Sequence, residues 1–141
     1  MTEKNTMAPE VFQKNVLDWA YEKGIFAKSS PLKQLGKTEE EVAETKEVLE
    51  KLEEIRAKGI TGLDVPPYLR NALRLEIGDI YVTTVILANL CGFSLDECGE
   101  AAFKKIANRS GDMVDGVFVK EADLKRAADL DAIREREGEL S

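Results

Sequence analysis

The sequence lacks histidine altogether and has only two cysteines among its 141 residues. Without histidine, the chain cannot form a Ser-His-Asp or Cys-His catalytic arrangement, a zinc site with imidazole ligands, or a di-iron bundle built on Glu-x-x-His. Cys91 and Cys98 do not have the spacing of metal ligands and do not suggest a disulfide framework. Their scarcity favours a reducing, cytoplasmic environment.

Long hydrophobic runs and an excess of positive charge are also missing. The longest near-apolar run, from Ile80 to Cys91, is about half of the roughly 20 residues that cross a bilayer. The polar N-terminus leads into no apolar segment, so no signal peptide is predicted. Twenty Lys and Arg against 27 Asp and Glu give a net charge of −7. We therefore expect neither nucleic acid nor a membrane as a partner.

Helix signals dominate what is present, and the sequence predicts an all-α protein. Pro9 and Gly24 bound a first helix, and Ser30-Pro31 opens a second that ends before Gly59; Gly36 weakens its first turns and leaves a later start near Thr38 open. Pro66-Pro67 opens a third helix that ends near Gly92.

The C-terminal third carries the remaining signals. Ser94 and Glu97 form a capping box for a fourth helix, expected to end near Ser110-Gly111. Asp115-Gly116 predicts a tight turn, and a charged helix follows from about Glu121 to Glu137. We expect one domain over residues 1–141, with a four-helix core at about 9–111 and a turn and helix at 112–141.

Two carboxylates break the amphipathic pattern. On a helical wheel Glu41 lies within about 40° of the apolar residues Val48, Leu52 and Ile55. Glu76 lies within about 60° of the apolar residues of its own helix, which are Leu69, Leu73, Ile80, Leu87 and Leu90. A charge in such a stripe costs several kcal/mol unless it is paired or its pKa shifts.

A short connector between the second and third helices predicts an antiparallel hairpin that brings Glu41, Glu44, Glu76 and Asp79 to similar heights. Four facing carboxylates need a cation, and donors of oxygen alone suit Mg²⁺, with Mn²⁺ as a substitute. In the alternative interpretation Glu41 and Glu76 form internal salt bridges with Lys37, Arg70 or Arg74.

At these residues the chain resembles the MazG-like family of all-α nucleoside triphosphate pyrophosphohydrolases, in particular its small phage-type members. The family signature of Glu-x-x-Glu followed by Glu-x-x-Asp is matched by Glu41-Val-Ala-Glu44 and Glu76-Ile-Gly-Asp79. The likeness extends over about residues 11 to 123 and includes three flanking segments: Trp19-Ala20 with Gly24-Ile25-Phe26, Gln34-x-x-Lys37-x-x-Glu40-Glu41, and Lys105-x-x-Asn108-Arg109 followed by Met113 to Glu121. Two features depart from the family pattern: a longer spacer between the motifs, and Thr45 where many members have Leu.

The resemblance implies hydrolysis of a nucleoside triphosphate to the monophosphate and pyrophosphate, a phosphoric anhydride cleavage used in nucleotide-pool house-cleaning. It implies that Glu41, Glu44, Glu76 and Asp79 hold Mg²⁺, and Glu41 is our candidate general base. Candidate substrate-binding residues are Lys37, Lys105, Arg109 and Trp19. Lys105 and Arg109, four apart on the predicted fourth helix, could equally be a solvated basic patch, and Trp19 could be a core residue.

The run from Ile80 to Cys91 is apolar on nearly every side, with Val82 and Val85 opposite Ile80 and Leu87. This pattern predicts a covering partner subunit, and the resemblance implies a homo-dimer or homo-tetramer of bacterial or phage origin. Two alternatives remain open: a related dUTP/dCTP or phosphoribosyl-ATP pyrophosphohydrolase, and a non-catalytic helical dimerisation module.

Overall fold

The computed structural model describes residues 6–139. It divides after Cys98 into two compact units. The helices are α1 (Pro9–Glu22), α2 (Ile25–Lys28), α3 (Pro31–Ala57), α4 (Pro67–Leu90), α5 (Leu95–Ile106) and α6 (Glu121–Glu139); the strands are β1 (Gly111–Val114) and β2 (Val117–Lys120). The all-α prediction is confirmed, because the strands form only a two-stranded hairpin.

The second predicted helix takes the earlier of its two possible starts. The Ser30 side chain accepts a hydrogen bond from the Lys33 main-chain N–H at 3.3 Å, and α3 begins at Pro31. This cap and the proline at the first position stabilise a turn that Gly36 weakens. One short element was not predicted: α2, a single turn that follows Gly24 in the left-handed conformation (φ 81°).

Helices α3 and α4 form the predicted antiparallel hairpin. The longer spacer contains a one-turn 3₁₀ helix, Gly62–Asp64. Val65, at its end, is buried with Leu52 of α3 and Leu69 of α4. The extra residues therefore add a small hydrophobic cluster at the connector end of the hairpin and leave the pairing of the two helices intact.

A second hydrophobic cluster joins α1 to the C-terminal half of α4. Val16 and Ala20 of α1 are buried against Val85 and Ile86. Val85 is only 2% exposed within its own chain. The inference that this side of α4 needs a partner subunit is therefore wrong for Val85, because the sequence pattern did not reveal that α1 packs there.

One polar contact fixes how far α3 and α4 are shifted along each other. Gln34 is buried, and its side-chain Nε2 donates to the Thr83 main-chain carbonyl at 3.1 Å. Glu41 lies seven residues after Gln34 on α3, and Glu76 lies seven residues before Thr83 on α4. Since seven residues are about two helical turns, the bond sets the heights at which the two carboxylates meet.

Two contacts define the start of α5, and its end differs from the prediction. The capping box is present, with Ser94 Oγ accepting from the Glu97 N–H at 3.1 Å, and Gln13 of α1 donates to Asp96 at 2.8 Å. The helix ends at Ile106, four to five residues earlier than expected. A turn replaces its last predicted turn, with the Arg109 N–H bonded to the Ile106 carbonyl at 3.0 Å, and β1 begins directly afterwards.

In the second unit, β1 and β2 pair in antiparallel register from Gly111–Lys120 to Val114–Val117. Asp115 and Gly116 both have positive φ (50° and 80°), as a two-residue type I′ turn requires. Gly111 is required for a different reason, since a Cβ there would clash with the main chain of Val119 and Lys120. The charged helix α6 follows as predicted.

No single helix among residues 6–139 is long and apolar enough to cross a membrane. The placement of both units in one domain stays a prediction.

We expect Gln34→Ala to lower the free energy of unfolding by about 1–3 kcal/mol, because it removes a buried hydrogen bond between α3 and α4. Urea denaturation measures the change. Lys33→Ala, an exposed neighbour on the same helix, is the control and should alter stability by less than about 0.5 kcal/mol. Equal effects of the two substitutions would contradict the role assigned to Gln34.

Candidate metal and nucleotide site

Three carboxylates meet where α3 and α4 face each other. Glu41 and Glu44 lie one turn apart on α3, and Glu76 lies opposite on α4. Each offers a carboxylate oxygen within 4.8 Å of the others. Glu41 and Glu76 are half-buried, whereas Glu44 is exposed. The heights estimated from helix geometry are therefore correct for these three residues.

These carboxylates form no ion pair in the part of the chain that the structure describes, although the charge of Lys37 acts on Glu41 and Glu44 from beyond ion-pair distance. The Oε2 atoms of Glu41 and Glu76 are buried and form no hydrogen bond there. Lys37 instead pairs with Glu40 at 2.7 Å, and Arg74 donates to the Asn71 side chain. The internal salt bridges of the alternative interpretation are thus absent from residues 6–139. Buried, unpaired carboxylate oxygens fit a hard divalent cation.

Burial and the close approach of the carboxylates raise pKa values within the cluster. Burial, and then the neighbouring Glu44 carboxylate, raise the pKa of Glu41 to about 7, with smaller contributions from Asp79 and Glu76. Burial and the Glu44 carboxylate likewise raise the pKa of Glu76 above its ordinary value. Like charges at short range disfavour simultaneous ionisation, so without a cation the cluster holds a proton near neutral pH.

Asp79 lies one turn beyond Glu76 and borders the cluster. It does not share the 4.8 Å grouping, but its charge raises the pKa of both Glu41 and Glu76. Asp79 and Glu41 also line the same cavity, which has a volume of about 400 Å³. The structure therefore places the fourth predicted ligand beside the other three.

The same cavity brings two predicted substrate residues to the carboxylates. Trp19 of α1 and Lys37 of α3 line it together with Glu41 and Asp79. Trp19 is 49% exposed, so its interpretation as a core residue is wrong. An open indole face and an ammonium group beside a carboxylate cluster give this cavity groups suited to an aromatic base and to phosphates.

Sequence reasoning missed several other residues that line this cavity. Gln34, Thr83 and Ile25 all contribute to its wall. Thr83 lies about 20° from Glu76 on the helical wheel, which was a usable signal. Gln34 gave a weaker signal, because it is a polar residue on the apolar side of α3. Ile25 could not be placed, because α2 was not predicted.

A comparison with family models decides the classification. The model described as the MazG nucleotide pyrophosphohydrolase domain matches residues 31–114, more than half of the chain. The chain belongs to the MazG family. The matched region contains both carboxylate motifs, and the all-α architecture agrees with this classification. No protein of curated function and no solved structure gives a significant match.

In this MazG domain, Thr45 replaces the Leu common after the first motif, and the structure explains how it is accommodated. Thr45 is buried, and its hydroxyl donates to the Glu41 main-chain carbonyl at 2.7 Å. Bonding back along the helix satisfies the hydroxyl without a partner from another element. The polar residue therefore leaves no unsatisfied group beneath Glu41.

Lys105 and Arg109 belong to the second unit, and both are exposed. They do not share a helical face, because α5 ends at Ile106 and Arg109 follows a turn. The argument from their spacing is therefore wrong. Their role toward the substrate stays a prediction that rests on the family resemblance.

The raised pKa of Glu41 predicts how the metal-free protein responds to pH. Between the ordinary value of 4.5 and the folded-state value of about 7, the folded protein binds more protons than the unfolded chain. Its free energy of unfolding should therefore fall as pH rises through this window and level off above it. Urea midpoints measured with a chelator present test this. Glu41→Gln should reduce the slope, and an unchanged slope would contradict the assignment.

Proposed function

We propose that the protein is a Mg²⁺-dependent nucleoside triphosphate pyrophosphohydrolase that forms the monophosphate and pyrophosphate. One observation carries this proposal: within residues 6–139 the buried carboxylate oxygens of Glu41 and Glu76 lack a hydrogen-bond partner, and Glu41 also lines a cavity with Trp19 and Lys37. Membership of the MazG family supports the same reaction class. A non-catalytic dimerisation module would have no need of unpaired, buried carboxylate oxygens.

Glu41, Glu44, Glu76 and Asp79 are the residues that would hold Mg²⁺, or Mn²⁺ in its place. The bound cation would offset the triphosphate charge and make water more acidic. Oxygen ligands suit these hard cations, and the described cluster contains no thiol or imidazole.

Glu41 is the proposed general base. A water oxygen forms a bond to phosphorus, the α–β anhydride bond breaks, pyrophosphate leaves, and the water proton passes to the Glu41 carboxylate. Glu41 is half-buried and lines the cavity, so its carboxylate is placed to accept a hydrogen bond from a water there. Of the four carboxylates, Glu41 also both belongs to the cluster and lines the cavity.

The remaining candidates are assigned to substrate binding. Trp19 stacks on the base, and Lys37 contacts the phosphates from the same cavity wall. Lys105 and Arg109 are proposed as further phosphate contacts. We also propose a cytoplasmic house-cleaning role and a homo-dimeric or homo-tetrameric assembly, as the family resemblance implies.

The first test is pyrophosphate release from a panel of ribo- and deoxynucleoside triphosphates, with dUTP, dCTP and phosphoribosyl-ATP included. We expect turnover with Mg²⁺ and none with a chelator. The preferred substrate distinguishes a general pyrophosphohydrolase from its dUTP/dCTP or phosphoribosyl-ATP relatives. Absence of turnover across the panel at any Mg²⁺ concentration would leave the dimerisation module as the better explanation.

Glu76→Gln separates a metal ligand from a structural carboxylate. It keeps the side-chain shape, removes one charge and leaves a weak ligand, so activity should fall by at least about a hundredfold. Metal-free stability should hold or rise as repulsion is relieved. Mg²⁺ should raise the melting temperature of the wild type much more than that of the variant.

Glu50→Gln is the matched control, since Glu50 lies on the exposed side of α3 and pairs weakly with Lys46 at 3.9 Å. It should change neither activity nor the response to Mg²⁺. A Glu76→Gln protein that is less stable without metal and still active would contradict the proposed ligand role.

A further inference from the structure

A second charged surface lies at the connector end of the hairpin. Three adjoining cavities of about 360 to 460 Å³ are all lined by Arg70. We call this surface the arginine groove and define it by Arg56, Arg70, Arg74, Leu63, Leu73 and Ile77. It concentrates three guanidinium groups in a chain whose net charge is −7.

The arginines of the groove are available for a ligand. All three are exposed, and none has a carboxylate within ion-pair distance in the described part of the chain. Within residues 6–139, Arg74 is the one of the three with a side-chain hydrogen bond, which it donates to the neutral Asn71 amide. By contrast, Lys14, Lys37, Lys46 and Lys104 each pair with an acidic residue three or four positions away. The groove therefore keeps uncompensated positive charge.

The groove is separate from the cavity proposed for the substrate. None of the described residues lines both the groove and that cavity. On α4, Arg70 and Ile77 lie about 100–120° from Glu76 in one rotational sense, whereas Asp79 and Val82 lie about 60° and 120° away in the other. The two surfaces are thus on opposite sides of the hairpin.

We propose that the arginine groove is a second binding site, which takes a nucleoside phosphate independently of the proposed reaction. Guanidinium groups bind phosphate oxygens through paired hydrogen bonds and also stack on aromatic rings. Leu63, Leu73 and Ile77 supply the apolar surface that a base and sugar need and that a bare polyphosphate does not use. The cavity volumes are within the range of small-molecule sites.

The test is calorimetric titration of the full chain with α,β-methylene-ATP, a probe that resists cleavage, with a chelator present and about 0.15 M salt. Without metal, the carboxylate cluster repels the triphosphate, so binding at the groove is measured alone. Trp19, the single tryptophan, lines the other cavity. We expect saturable binding with no change in tryptophan fluorescence, and the same affinity in Glu76→Gln.

Variants and ligand fragments complete the design. Arg70→Gln with Arg74→Gln should weaken binding at least tenfold, while Arg134→Gln with Arg136→Gln, the same change on α6, should not. Inorganic triphosphate should bind at least tenfold more weakly than the nucleotide, and adenosine more weakly still. The proposal is overturned by absent binding, by a fluorescence change that follows the heat, by equal losses in both double variants, or by equal affinity for inorganic triphosphate. None of these outcomes depends on whether the protein hydrolyses nucleotides.

Discussion

The structure depends on one unfavourable contact, the approach of Glu41 and Glu76 across the α3–α4 hairpin with their inner oxygens buried and unpaired. Within residues 6–139, neither carboxylate takes part in an ion pair that holds the helices together. The stabilising contacts lie on either side along the hairpin: the Gln34–Thr83 hydrogen bond towards one end, and the cluster of Leu52, Val65 and Leu69 towards the other. Repulsion at the centre is thus opposed by packing and hydrogen bonding at a distance of a few turns.

The repulsion between these carboxylates would link the stability of the hairpin to the binding of a cation. A cluster that is strained without a cation gains free energy when a cation enters, because the same repulsion is removed that weakens the empty state. Burial, followed by the neighbouring Glu44 carboxylate, raises the pKa of both Glu41 and Glu76, so both effects contribute to that strain. Replacing the cluster with apolar residues would relieve the strain and remove the only group of three acidic side chains within residues 6–139 that lie close enough to share a metal ion. Stability and metal binding therefore make opposite demands on these positions.

Sequence reasoning was most successful where helical periodicity and capping set the structure. The placement of Glu41 and Glu76 in apolar stripes, the Ser30 cap and the Ser94–Glu97 capping box all follow from spacing alone, and the structure confirms the caps. It failed where packing between distant parts of the chain determines the structure. Helix α1 covers Val85 because it packs against one particular face of α4, and no local sequence pattern encodes which face that is. The early end of α5 likewise reflects the start of the β1–β2 hairpin as well as helix propensity.

The two sides of the hairpin show how one pair of helices can carry opposite charges. An α-helix advances about 100° per residue. On the helical wheel of α4, Asp79 therefore lies to one side of Glu76, whereas Leu73 and Arg70 lie to its other side. Apolar residues of the two helices, among them Leu52, Leu69 and Leu73, form a hydrophobic seam, and within residues 6–139 no arginine forms an ion pair with Glu41 or Glu76. Had Arg70 or Arg74 reached Glu76, the salt bridge would have satisfied both groups and left neither free for a ligand. The separation of charge across the seam is thus the condition for the cation site proposed on one side and the anion site proposed on the other.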